Sequence, residues 1–315
     1  VMAETESKWR AESPALAGKL DSFLTGKAPA MDFNAIDPGA NAATRNASAA
    51  TLGFFAENAG NMIVASAYLS NSDKTDGFLK KTKPFTKGDF TGQFFQAGVS
   101  EFTMACIMNG MALHGGVIPV CGTFFVFSDY MKPAVRLAAL MKLNVKYVWT
   151  RDSFRVGEDG PSHQPVEHEA QIRLMEQLRN HHGERSTVVL RPGDADETTA
   201  AWKIALESDR PAALILSRQY INYLPVDNYE GVEKGGYVVM DADGTPDIIL
   251  VASGSEVATL VDGANLLKAD GVKVRAVPVP SEGLFRDQPK EYQEKVLPAG
   301  VQKFGMPSGL PPTLL

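Results

Sequence analysis

Short apolar runs rich in β-branched and aliphatic residues alternate along this chain with longer amphipathic runs. That alternation restricts the fold more than any other feature, because buried strands joined by helical crossovers form a parallel sheet. Strands are predicted over 62–67, 116–120, 145–150, 187–191 and 212–217, giving one five-stranded sheet, with helices over 44–58, 98–113, 129–143, 167–179 and 196–208. The last of these opens on Asp194, Ala195, Asp196 and Glu197, an acidic start that suits a helix amino end. Beyond 225–236, a strand over 247–252, a turn at Gly254 and Ser255, a helix over 256–270 and a strand over 272–279 make one further βαβ unit, too small to close a domain alone. The expected class is α/β: a parallel-sheet domain over 41–230 and an incomplete α/β carboxyl-terminal domain over 231–315.

The first ten residues read as a helix already under way, without an apolar face sufficient for a core. A stretch rich in Gly, Pro, Ala and Asp over 22–40 reads as a linker, with periodic structure beginning near Ala42, so 1–40 is expected to be an interdomain linker and the tail of a preceding domain. The sequence ends in a proline-broken segment, Pro307 to Pro312. With Val1 in first place, a cleaved or truncated product is expected rather than a natural split subunit. The composition, 44% hydrophobic and 22% charged over 315 residues, supports two packed cores. A net charge of −6 argues against nucleic acid, and the local run of Lys80, Lys81, Lys83 and Lys87 reads first as a solvated loop and second as the lining of an anionic ligand's entrance. Cys106 and Cys121 sit in apolar runs without metal-ligand spacing, as expected of a cytoplasmic protein, and no signal peptide or membrane span is visible.

Three features carry chemistry. The loop 157–164 packs Glu158, Asp159 and His163 between glycines and a proline at the predicted end of a strand, where open α/β sheets bind ligands; taken alone it reads equally as a turn with a solvated histidine. Glu101 is the single acid of a nearly all-apolar helix. It reads either as a first-turn residue favoured by the helix dipole or as a half-buried acid kept for one specific hydrogen bond. Phe124, Phe127 and Tyr130 recur at a spacing of three and form either core or the wall of a flat heteroaromatic ligand.

These residues, with Ala43-Thr44-Arg45, Val99-Ser100-Glu101-Phe102, Leu113-His114-Gly115-Gly116, Leu216-Ser217-Arg218-Gln219 and Ser253-Gly254-Ser255-Glu256, resemble the transketolases, the bacterial enzymes most, in an order that runs from about 14 to about 310. The loop 157–164 and the Ser217-Arg218-Gln219 segment favour that family over other thiamine-dependent enzymes that share its domain plan. The resemblance implies a pyrimidine-binding domain for thiamine diphosphate and transfer of a two-carbon ketol unit between sugar phosphates in the pentose phosphate pathway. It makes Glu101 the acid that hydrogen-bonds the pyrimidine and Phe124, Phe127 and Tyr130 the wall around it. It makes Arg45, Ser72, Arg151 and Arg218 the phosphate readers, Asp159 the reader of a sugar hydroxyl and His163 a proton-moving contact to the donor sugar.

Three departures accompany the match. Arg151 stands where the family carries histidine, and Tyr68 where it carries an aspartate close to the cofactor. The Gly-Asp-Gly segment that binds diphosphate and its Mg or Ca ion is absent, so diphosphate and metal are expected only with a missing amino-terminal domain, and no metal ligand is assigned in this chain. Two readings remain: half of a transketolase site, expected to be inactive in isolation, and a non-catalytic dimeric fragment. A homodimer is implied in both.

Overall fold

The computed structural model describes residues 2–152, 154–157, 159–226 and 229–309. Its elements are α1 (Met2–Glu12), α2 (Pro14–Leu24), α3 (Thr44–Asn58), β1 (Met62–Ser66), α4 (Ser70–Asp73), α5 (Asp76–Leu79), β2 (Phe94–Gln96), α6 (Glu101–His114), β3 (Ile118–Phe124), α7 (Ser128–Leu140), β4 (Lys146–Thr150), α8 (His168–Gln177), β5 (Val188–Leu190), α9 (Ala195–Glu207) and β6 (Ala212–Leu216). There follow β7 (Ile248–Ala252), α10 (Glu256–Ala269), β8 (Val274–Pro278), α11 (Glu282–Arg286), α12 (Lys290–Val296) and β9 (Gln302–Gly305).

The first sheet has six parallel strands in the order β2-β1-β3-β4-β6-β5. The unexpected strand is β2 at the edge, whose three residues are too few for periodicity to distinguish from a loop. The strand expected over 116–120 begins at Ile118 and continues to Phe124, because Gly115 and Gly116 adopt φ of 79° and 82° and terminate α6 instead.

Helices cover both faces of this sheet. On one, Leu52 and Phe55 of α3 meet Trp202 of α9 over Met62 and Val64, with Phe55 and Trp202 edge-on at 5.5 Å and the indole donating to Ser48 Oγ at 2.9 Å. On the other, Met104 and Met108 of α6 and Met131 of α7 pack over Tyr147 and Trp149. A fully buried side chain of this size contributes roughly 1.5–3 kcal/mol. Both cores hold the strands rigidly, so the loops at their carboxyl ends start from fixed points.

The chain after β6 exceeds the expected βαβ unit. Strand β9 adds to β7, giving the parallel order β8-β7-β9. Val257 and Leu260 of α10 cover one face, and Phe285 of α11 with Val296 of α12 covers the other. At the amino end α1 matches the helix expected there, but a second helix, α2, was not expected, with Pro14 in its first turn where its missing N–H costs nothing. The stretch after α2 is packed rather than free, since Ala28, Met31 and Phe33 lie against the first core and the ring of Phe33 is 6.0 Å from Phe55. Among the described residues no helix is long and apolar enough to cross a membrane.

Candidate active site

The segments that follow β1, β3, β4 and β6 emerge along one edge of the first sheet, and Ser72, Phe127, Tyr130, Arg151, Asp159, His163 and Arg218 lie in them, with Phe124 as the last residue of β3; of the expected site residues only Arg45 and Glu101 lie elsewhere. Those two begin helices at the same edge. Arg45 is the second residue of α3, whose start is tied to the end of β6: Thr44 N donates to Ser217 Oγ at 3.0 Å, and Ser217 N donates to Thr44 Oγ1 at 2.7 Å. The tie brings Arg45 and Arg218 within each other's electrostatic reach. Burial, and then the charge of Arg218, push the Arg45 guanidinium below its ordinary pKa. Both arginines carry a buried Nε–H without an acceptor among the described residues.

Ser72 closes this end. Its carbonyl accepts from Arg45 Nη1 at 2.8 Å and its hydroxyl from Arg151 Nη2 at 2.9 Å. The turn that presents Ser72 is held from behind by Asp73, a buried carboxylate not singled out from the sequence. Asp73 accepts from Ser66 Oγ at 2.7 Å and from Thr75 N at 2.9 Å, and burial raises its pKa. The signal that could have found it is Gly122 on the neighbouring strand, where a Cβ would sit 2.5 Å from Thr75 Cγ2.

Arg151 is buried directly after β4 with φ of 64°. Its guanidinium lies over the Phe124 ring, 4.1 Å from the centroid, and forms an ion pair with Asp159. Phe124 thereby joins the arginine-rich end to an aromatic cluster. Phe124 and Phe127 stack at 5.8 Å, His163 stands 6.0 Å and 5.3 Å from them, and Tyr130 is 6.0 Å from Phe127. Phe124 is buried while Tyr130 is 62% exposed, so the wall grades from core into an open face. The imidazole is oriented by Ser162, whose Oγ is 2.9 Å from Nδ1.

Two groups therefore assemble around Phe124: Arg45, Ser72, Arg151, Asp159 and Arg218 on one side, and Phe127, Tyr130 and His163 on the other. No hydrogen bond or ring contact joins Glu101 to either group among the described residues. It is 7% exposed at the start of α6, which packs beside α7, the helix that carries Tyr130. Tyr68 follows β1 with φ of 73° and is 72% exposed, so its phenol meets solvent rather than the wall. Glu158 lies outside the described residues. Lys80, Lys81 and Lys83 pair with Asp76, Glu57 and Asp89, which makes that basic run a self-neutralised surface. Asp129, Glu167 and His168 approach one another closely enough to suggest a cation site, but the two acids face opposite nitrogens of one ring and Lys132 already pairs with Asp129. Cys106 and Cys121 are free thiols.

A family model described as transketolase, pyrimidine binding domain matches residues 40–222, and one described as transketolase-like TK C-terminal domain matches residues 235–309. The transketolase of Halalkalibacterium halodurans is 43% identical over 314 residues, which cover 95% of this chain and 45% of the relative. That of Geobacillus stearothermophilus is 42% identical, over 96% of this chain and 46% of the relative. Among solved structures, transketolase from Leishmania mexicana superposes with a TM-score of 0.90 at 36% identity, covering 98% of this chain and 45% of that one. The chain spans about half the length of the curated relatives it matches.

Proposed function

The chain belongs to the transketolase family, and we propose that it supplies the pyrimidine-binding and sugar-phosphate-binding half of a site that moves a two-carbon ketol unit from a ketose phosphate to an aldose phosphate. The observation that carries this reading is the pair Arg45 and Arg218, two mutually repelling guanidiniums each with an unanswered buried N–H. A dianionic phosphate relieves the repulsion and accepts both hydrogens.

From that anchor the sugar runs along Phe124 toward His163. Asp159 accepts from a sugar hydroxyl, and His163, oriented by Ser162, moves a proton at the donor oxygen next to the bond that breaks. The graded wall of Phe124, Phe127 and Tyr130 fits a flat aminopyrimidine stacked on its open face, with Glu101 holding one hydrogen bond to a ring nitrogen. Thiamine diphosphate, when bound, supplies the electron sink for carbon–carbon bond making and breaking. Its diphosphate and a Mg or Ca ion belong to the half of the relatives' length that this chain does not span.

The division into 41–230, which carries both groups, and 231–315 follows from the same assignment. The working state is a homodimer in the cytoplasm. Val99, 81% exposed, and Phe102, 49% exposed, flank Glu101 with apolar surface that a second copy would cover. Exposed Tyr68 at the end of β1 favours the second reading, a folded dimer that binds without turning over.

The test is transfer from xylulose 5-phosphate to ribose 5-phosphate with thiamine diphosphate and magnesium, using the 315-residue chain with and without the amino-terminal half of the Geobacillus relative. Turnover only when both halves are present is the expected result. Silence with both, from a folded chain, would sink the enzymatic reading in favour of the second.

A further inference from the structure

The segment that carries Arg151, Asp159 and His163 is fastened at its second residue to the other sheet. Asp152 is 2% exposed, and its Oδ2 lies 2.9 Å from Arg191 Nη2. Arg191, fully buried just after β5, also reaches the turn after β7 and the start of α10: Nη1 donates to Ser253 O at 2.7 Å, and the same Nη2 lies 2.5 Å from Glu256 Oε2. The backbone repeats the tie, with Gly254 N donating to Arg191 O at 2.9 Å. A Cβ on Gly254 would fall 2.6 Å from Arg191 Cζ, and its φ is 60°, so the close approach requires glycine.

Arg191 belongs to a larger buried set in which Asp152, Glu169, Glu176, Glu256 and Glu282 crowd around Arg191 and Arg173, with the half-exposed Arg286 reaching Glu282 from the edge. Burying charge in this way is a poor means to stability, since apolar replacements of such clusters are commonly as stable or more so; what charges of this kind can do is fix one geometry. The geometry at stake is next door. Arg151 holds a left-handed backbone, strained for a residue other than glycine, and such a conformation persists only where its surroundings over-determine it. Asp152 is the next residue along.

We propose that Asp152, Arg191 and Gly254 are positioning residues through which the second sheet sets the substrate segment, so that Arg151 meets Ser72 and Asp159. That the segment reads a sugar phosphate rests on the function proposed above; that the second sheet holds it does not.

Trypsin separates the two. Arg155 is exposed but Val156 is 1% exposed, so cleavage between them requires local opening of the segment, whereas Lys87 and Gly88 lie together on an unrelated exposed loop. In the full chain, Asp152→Ala is expected to speed cleavage after Arg155 by about tenfold or more with no change after Lys87. Asp152→Asn, which keeps an oxygen facing Arg191 in a side chain of the same shape, is expected to cleave like the unaltered chain. Gly254→Ala, which displaces Arg191 from the opposite side, is expected to release the same bond. An unchanged rate after Arg155 in both Asp152→Ala and Gly254→Ala, equal acceleration at both sites, or an asparagine variant no better than alanine would overturn the proposal. Calorimetric titration of ribose 5-phosphate runs beside it: failure of the unaltered chain to bind would count against the sugar-phosphate reading and leave the cleavage comparison to decide the positioning role.

Discussion

Gly157 lies so close to Arg218 that a Cβ at position 157 would sit 2.8 Å from Nη1 and 3.1 Å from Cζ. Its φ of 100° already excludes most other residues. Gly157→Ala therefore adds backbone strain of about 1–3 kcal/mol and pushes the guanidinium out of line with Arg45. Gly160, with φ of 79° but nothing within 4 Å of its Cβ position, serves as the control for strain alone. The expected outcome is a loss of phosphate affinity of about tenfold or more in Gly157→Ala and little loss in Gly160→Ala, read by titration with inorganic phosphate.

Arg151 retains its charge throughout the physiological range, whereas an imidazole in its place would not. Arg151→His also gives up the contact with Phe124 and shortens the reach to Ser72. Ribose 5-phosphate binding by the unaltered chain and by the variant, compared at pH 6 and pH 8, cancels the ligand's own titration. The variant is expected to fall further behind at pH 8, and a pH-independent ratio would dissociate Arg151 from phosphate reading.

Glu101 is separated by contact from both assembled groups, which makes its assignment the most exposed to test. In a complete enzyme carrying this sequence, Glu101→Ala is expected to abolish turnover while leaving the affinity of the chain for ribose 5-phosphate within about twofold, because the proposed role of the carboxylate is toward the pyrimidine and not the sugar. Near-normal turnover would remove the role given to it.

The parallel strands were legible because a strand buried on both faces leaves an apolar run bounded by breakers, as in Lys146–Thr150 and Ala212–Leu216. β2 and β9 were not, being edge strands of three and four residues with mixed composition. In the site, glycines and spaced aromatics signalled the loop 157–164 and the wall from Phe124 to Tyr130. Asp73, Asp152 and Arg191 gave no local sign, since their burial follows from contacts between segments far apart in the chain. The ion pair of Arg191 with Glu256, for example, spans the two sheets. A charged residue inside a polar segment reads as surface until the tertiary structure encloses it.

Asp152 also makes the stability of the chain depend on pH in a direction opposite to that of an ordinary paired carboxylate. Burial pushes its carboxyl up to about 7, against the ordinary 3.8, with Glu256 and Glu169 adding to the shift and Arg191 opposing it. Three carboxyls share the Arg191 guanidinium, so retaining a proton on one of them lowers the buried negative charge. The folded chain keeps this proton where the unfolded chain releases it, so stability from this source is full below about pH 4 and declines as pH rises toward 7. The total at stake is on the order of a few kcal/mol. Glu197, pushed up to about 8 by burial and by Asp194, acts in the same sense, whereas Lys146, lowered to about 7 by burial, adds stability only as pH climbs beyond 7. Asp73, Glu176 and Asp194, each raised by burial, act in the same sense as these two acids, and the unfolding midpoint in urea is expected to fall between pH 5 and 7. Asp152→Asn fixes the neutral form and is expected to flatten the slope while leaving the share due to Glu197 and the other raised carboxyls. A slope unchanged in the variant would mean that Asp152 is ionised in the fold and that the excess proton resides elsewhere in the cluster.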